Sequence, residues 1–313
     1  MLKTEDYEDI PEESNISTSV DSESNEVFNS SSREKPRRLI MYQDTNNTHE
    51  VGNEFLNATL KNDTSYHSAS SCNKALASYP FSVSIQKKGS HYTSGALIGK
   101  KWIVTVASEF YNIRETIKLF RARLGTVNCK KGGLLVPIKQ IEIHPSYVYK
   151  QPNFDISMLK IGHLFDFSDL IKPIALTDVT EKIVSASFLT TYWPRLIVNG
   201  RVLEQTAKER MKQNSMRVST QKMIVWEKCF DLMKAQNQTL DESTLCLIPI
   251  KSHHSPCMPD AGAPITAEDG LWGITSGWTL DECPTKNSPT LVTRISSSAI
   301  RTWLDKLLES DKK

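Results

Sequence analysis

The sequence predicts an all-β barrel or sandwich followed by a single helix. Three observations carry this: short runs rich in β-branched and aromatic residues, turn residues spaced between them, and no helical periodicity alternating with them. In chain order the runs are 81–85, where Phe81, Val83 and Ile85 alternate with serines, and the short apolar stretch 96–98. The run 102–106 (Trp-Ile-Val-Thr-Val) follows, then 134–143, 156–161, 183–191, 271–275 and 291–295. One segment has the other period. In 298–308, Ile300, Trp303, Leu304, Leu307 and Leu308 recur at three- and four-residue spacing, which predicts an amphipathic C-terminal helix.

The first 71 residues differ in texture. They are rich in Ser, Asn, Thr and Glu and poor in apolar periodicity, a composition that buries too little surface to offset its chain entropy, so a disordered extension is expected. A globular domain over 72–313 follows. The 38 Lys+Arg and 36 Asp+Glu of the 313 residues nearly cancel, which argues against a nucleic-acid binder. The balance is uneven along the chain: residues 1–30 carry a net charge of −8, which leaves +10 for 31–313. No run reaches the roughly 20 apolar residues of a membrane span, and 1–30 lacks the apolar core of a signal peptide.

Other features point to export nonetheless. Asn-x-Ser/Thr glycosylation acceptors occur at Asn15, Asn29, Asn46, Asn57, Asn62 and Asn237. The six cysteines, Cys72, Cys129, Cys229, Cys246, Cys257 and Cys283, form an even set without zinc-ligand spacing, so disulfides are expected. We therefore expect a secreted glycoprotein whose leader is missing from this sequence or whose N-terminus is wrongly assigned.

Six segments in order resemble the chymotrypsin/trypsin family of serine proteases. Residues 79–85 are similar to its first strand, 92–98 to FCGGSLI, and 101–109 (Lys-Trp-Ile-Val-Thr-Val-Ala-Ser-Glu) to WVLTAAHC. Residues 143–147 and 154–159 are similar to the HP-x-Y and DIALL segments, 257–264 to CxGDSGGP, and 271–278 with Cys283 to LxGIVSWG and its cysteine. The resemblance covers 79–308 and implies two antiparallel β-barrels with a C-terminal helix.

It also implies a degenerate active site. The positions of the catalytic His, Asp and Ser are Ser108, Asp155 and Ala261, and an alanine methyl cannot form an acyl-enzyme. Asp155 is then expected to orient its loop through hydrogen bonds. One oxyanion-hole donor falls on Pro259, which has no N–H. The specificity pocket has Ser255 at its floor, with Trp278 and Thr290 where the family has glycines. No Ile-Val-Gly-Gly cleavage point precedes residue 79, so Asp260, beside the nucleophile position, is expected to lack its partner and hold its turn in a zymogen-like shape.

The resemblance further implies Cys229–Cys246 and Cys257–Cys283 bridges. Cys72 and Cys129 are left either to bond to each other, which is the expected outcome, or to leave Cys72 for an intermolecular bridge. His253 and His254, adjacent in a polar loop, are read as solvated, and no metal or cofactor is expected. Residues 207–218, with Lys222, are read as an exposed basic insertion on which an anionic glycan could dock.

The expected function is that of a non-catalytic serine protease homologue binding a protein partner, as cofactor or decoy. The rival classes are an active peptidase with a shifted catalytic register and a structural secreted glycoprotein.

Overall fold

The computed structural model describes residues 40–41, 78–162, 165–180, 183–194, 197–198, 201–202, 214–235, 237–251, 260–277 and 289–310. All of them lie within the unit Arg37–Lys313. The expected N-terminal extension apart from 40–41, Cys72, the acceptors from Asn15 to Asn62, His253, His254, Ser255, Cys257, Pro259, Trp278, Cys283 and residues 203–213 lie outside the described residues.

Twelve strands form two closed antiparallel barrels, as the all-β expectation requires. The first barrel comprises β1 (Ser82–Lys87), β2 (Ser90–Leu97), β3 (Trp102–Thr105), β4 (Phe120–Leu124), β5 (Leu134–Ile143) and β6 (Ser157–Ile161). Its order is β1-β2-β3-β6-β5-β4, and the pairing of β1 with β4 closes it. The second comprises β7 (Ser187–Tyr192), β8 (Arg217–Met223), β9 (Thr244–Lys251), β10 (Pro264–Ala267), β11 (Gly270–Thr275) and β12 (Thr290–Arg294). Its order, β7-β8-β9-β12-β11-β10, repeats that of the first, and the pairing of β7 with β10 closes it.

Each barrel has its own interior. Val83, Ile85, Leu97, Ile103, Phe120, Leu124 and Leu159 fill the first, while Phe188, Leu247, Ile265, Trp272 and Val292 fill the second. A third cluster joins them. It runs from Ala96, Val104 and Met158 of the first barrel through Ala261, Leu271 and Ile274 of the second to Ile300 and Leu304. Those last two belong to the C-terminal helix α2 (Ser298–Ser310), which follows α1 (Trp226–Lys234). The predicted stripe is the buried one: Ile300 and Leu304 are fully covered, with Trp303, Leu307 and Leu308 packed at the margin. Burying each such side chain is worth about 1.5–3 kcal/mol.

One expectation needs correction. Arg217 and Lys222 do not sit on an exposed insertion. They belong to β8, whose alternate residues Ser219 and Gln221 are buried, so the segment is a strand with a polar inward row. Cys129 is a buried free thiol among the described residues, lying 3.6 Å from Asn214 Oδ1, and its carbonyl accepts a hydrogen bond from Gln86 Nε2; its expected partner Cys72 lies outside them. Asp260, expected to lack the α-amino partner of an activated chain, is held by other donors described with the site. Cys229–Cys246 is formed, with Cα atoms 6.1 Å apart, and fastens α1 to β9.

Candidate functional site

Ser108, Asp155 and Ala261 come together where the two barrels meet. Ser108 follows β3, Asp155 precedes β6 and Ala261 precedes β10. Phe154 aims the acid inward. It adopts φ +55°, a left-handed backbone that an aromatic residue rarely takes, and its ring stacks on the buried His144 at 5.0 Å, so packing holds the turn. Ser108 is half-buried, while Asp155 and Ala261 are fully covered.

The Asp155 carboxylate is saturated with donors. Oδ1 accepts from the amides of Ala107 (2.9 Å) and Ser108 (2.7 Å). Oδ2 accepts from Ser108 Oγ (3.0 Å), Ser276 Oγ (2.6 Å) and the Gly277 amide (2.9 Å). Burial pushes its pKa up, against the pull of the Ser276, Ser108 and Gly277 hydrogen bonds. These bonds also cross the molecule. Ser276 and Gly277 follow β11 of the second barrel, and Thr293 Oγ1 of β12 donates to the Asp155 carbonyl (3.0 Å). A Cβ added to Gly277 would overlap Ser108 Oγ and touch the Ala261 Cβ at 3.5 Å, so a side chain there would require the Ser108 hydroxyl to turn away.

The Ala261 turn is fixed as tightly. Its carbonyl accepts from the Ser94 amide (2.9 Å) and from Thr93 Oγ1. Gly262 has φ +78°, and a Cβ there would overlap the Ser94 carbonyl oxygen and Thr105 Oγ1. The next link is Asp260, which is buried. Its Oδ1 accepts from His91 Nε2 (3.1 Å), and its Oδ2 accepts from Ser94 Oγ (2.5 Å) and the Trp193 amide (2.7 Å). His91 Nδ1 in turn lies 2.8 Å from Ser84 Oγ. Burial works to raise the Asp260 pKa. The charge and hydrogen bond of His91, with the bonds from Ser94 and Trp193, leave it below the usual carboxylate value.

His91 is the site residue that the sequence reading missed. It lies 169 residues from Asp260, and only the folding of β2 against the 260–262 turn brings the two together. Of the expected pocket residues, Thr290 is buried at the start of β12, paired in register with Leu247. The others, Ser255 and Trp278, lie outside the described residues, as does Pro259. Asn237 is exposed in the turn after α1, with φ +55°.

A family model described as Trypsin matches residues 70–304. Hypodermin-A of Hypoderma lineatum is 26% identical over 206 residues, covering 66% of this chain and 75% of its own length. Ovochymase-2 of Mus musculus is 27% identical over 209 residues, covering 64% of this chain but only 33% of its own length. Among solved structures, neuropsin, a serine protease expressed in the limbic system of mouse brain, superposes with a TM-score of 0.58 at 20% identity. That match covers 74% of this chain and 96% of neuropsin. Kallikrein-related peptidase 10 gives 0.56 at 19% identity, covering 75% and 98%. These two likenesses concern the fold.

Proposed function

From the premise that the chain belongs to the trypsin-like serine protease family, we propose that it is a non-catalytic member that works by binding another protein. One observation carries the reading. The hydroxyl of Ser108 stands where the family's imidazole would, and it donates to Asp155 rather than taking a proton from a nucleophile. Across from it is the Ala261 methyl, fully covered and without a group that could attack a carbonyl. Acyl transfer needs a hydroxyl activated by a base, and neither member of that pair is present. The Asp260 carboxylate, bonded to His91 and Ser94 with no α-amino group engaged among the described residues, supports a turn held in a zymogen-like arrangement.

The protein acts outside the cell in this reading. The Cys229–Cys246 bridge suits an oxidising compartment, and the exposed Asn237 of an Asn-Gln-Thr acceptor suits glycosylation there. The partner is a protease or another extracellular protein. Incubation with a fluorophosphonate probe tests the loss of catalysis: no labelling is expected, and stoichiometric labelling would establish a shifted register with a working serine. Affinity capture from the native fluid, with the bound proteins identified, tests the binding role. Recovery of nothing beyond the bait, or of disulfide-linked multimers of the chain alone, would favour a structural role instead.

A further inference from the structure

The first barrel carries a charge imbalance that the site does not use. Residues 78–131 contain ten Lys and Arg against two Glu. Six of these cations, Lys88, Lys118, Arg121, Arg123, Lys130 and Lys131, belong to three segments that the fold lays side by side. Lys88 occupies the β1–β2 turn with φ +52°. Arg121 and Arg123 share the outward face of β4, which pairs with β1 in the register Gln86 with Arg121 and Ser84 with Arg123. Lys130 and Lys131 lie in the β4–β5 turn, and Lys118 directly precedes β4.

Backbone oxygens steady these side chains. Lys130 Nζ donates to the Gly89 carbonyl (3.1 Å) and Ser90 Oγ (3.0 Å), which ties the 127–133 turn to the β1–β2 hairpin. Arg121 Nη1 donates to the carbonyls of Lys118 and Phe120, both at 2.9 Å, and Arg123 Nη1 donates to that of Gly132. No ion pair among the described residues uses any of the six. Arg121, Arg123 and Lys130 are therefore held in place, and none of the six is neutralised by an ion pair among the described residues. Such a surface attracts a polyanion over several ångströms and needs no concave pocket to do so. The held guanidinium groups retain further N–H donors, and their planar fork matches the oxygens of a sulfate.

We propose that this face of the first barrel binds a sulfated polysaccharide. The site is distinct from the 207–222 region on which the sequence suggested a glycan. It is also independent of whether the Ser108–Asp155–Ala261 site is silent. Charge alone selects the class here. The exposed Leu119 and Leu135 stand beside the arginines and are the anchors that an acidic protein segment would bury.

A fluorescent heparin dodecasaccharide, titrated against the full chain at 50 and 200 mM NaCl, tests this. Binding should weaken at least tenfold between the two salt concentrations as the charges are screened. The double variants R121E/R123E and K130E/K131E should each bind at least tenfold more weakly at 50 mM, with unchanged thermal transitions. The reversal K228E/K234E, on exposed residues of α1, should leave binding within twofold. An equal loss in that control would reduce the effect to net charge and overturn the proposal. So would absence of binding at 50 mM. The variant L119S/L135S should bind heparin as the native chain does. A several-fold loss there would assign the face to an acidic protein segment and overturn the polysaccharide.

Discussion

Replacing Asp260 by Asn probes a buried, hydrogen-bonded charge of the site without changing its shape. The Asp260 carboxylate accepts three hydrogen bonds, from His91, Ser94 and the Trp193 amide, and is closed off from solvent. In the Asp260→Asn variant the amide oxygen can still accept from Ser94 and Trp193, and the imidazole can switch tautomer to accept from the new NH2. The geometry survives and the charge is lost. Hydrogen bonds to a charged group contribute about 1.5–3 kcal/mol and neutral ones about 0.5–1.5, so three conversions should cost about 3 kcal/mol at pH 7. The sign of the pH dependence follows from the depressed pKa. The ionised carboxylate stabilises the fold above the unfolded value of about 3.9, and that stabilisation disappears as pH falls through the folded value. Urea unfolding of both proteins at pH 7 and at progressively lower pH is the assay. The difference should be near 3 kcal/mol at pH 7 and shrink toward zero once the native carboxyl is itself protonated. A difference below about 1 kcal/mol at pH 7, or one of equal size at both ends, would refute the picture of a charge-assisted network.

Gly262→Ala should cost more than about 4 kcal/mol, or abolish folding, because its Cβ meets backbone at a positive φ; circular dichroism and urea unfolding would show it. The double variant S108H/A261S should show no peptidase activity on peptide esters, since Pro259 still offers no oxyanion donor, a loss worth about 2.7–4 kcal/mol of transition-state stabilisation. Cys129, buried and with its pKa pushed up to about 11, should resist iodoacetamide at pH 8 in the native protein and react promptly in 6 M guanidinium. Non-reducing peptide mapping of the same sample should recover Cys229 linked to Cys246.

Most of the first barrel and the C-terminal helix were legible in the sequence, because their buried faces repeat at the period of the element. The elements missed had a physical reason to hide. β4 alternates Phe120, Ala122 and Leu124 with two arginines, and its middle apolar member is only a methyl. β8 turns Ser219 and Gln221 inward, so its pattern reads as polar throughout. β10 opens with Pro264, a residue that ordinarily argues against a strand. The helix α1 did carry a signal, with Trp226, Cys229, Phe230 and Met233 at helical spacing. Ser108, Asp155 and Ala261 could be placed because each sits inside a run whose neighbours resemble a motif. His91 could not, because nothing local to the 90–93 stretch says which distant carboxylate it will meet.

The two buried carboxylates lie across the line that divides the barrels, and this gives them a mechanical meaning. Asp155 precedes a strand of the first barrel and draws Ser276 and Gly277 from the second, while Asp260 precedes a strand of the second and draws His91 and Ser94 from the first. They act as a pair of rivets driven from opposite sides. Pulling the halves apart would take from each acid the donors that the other half supplies. Neither half should therefore be recoverable as a folded fragment, and the whole should come apart in one step.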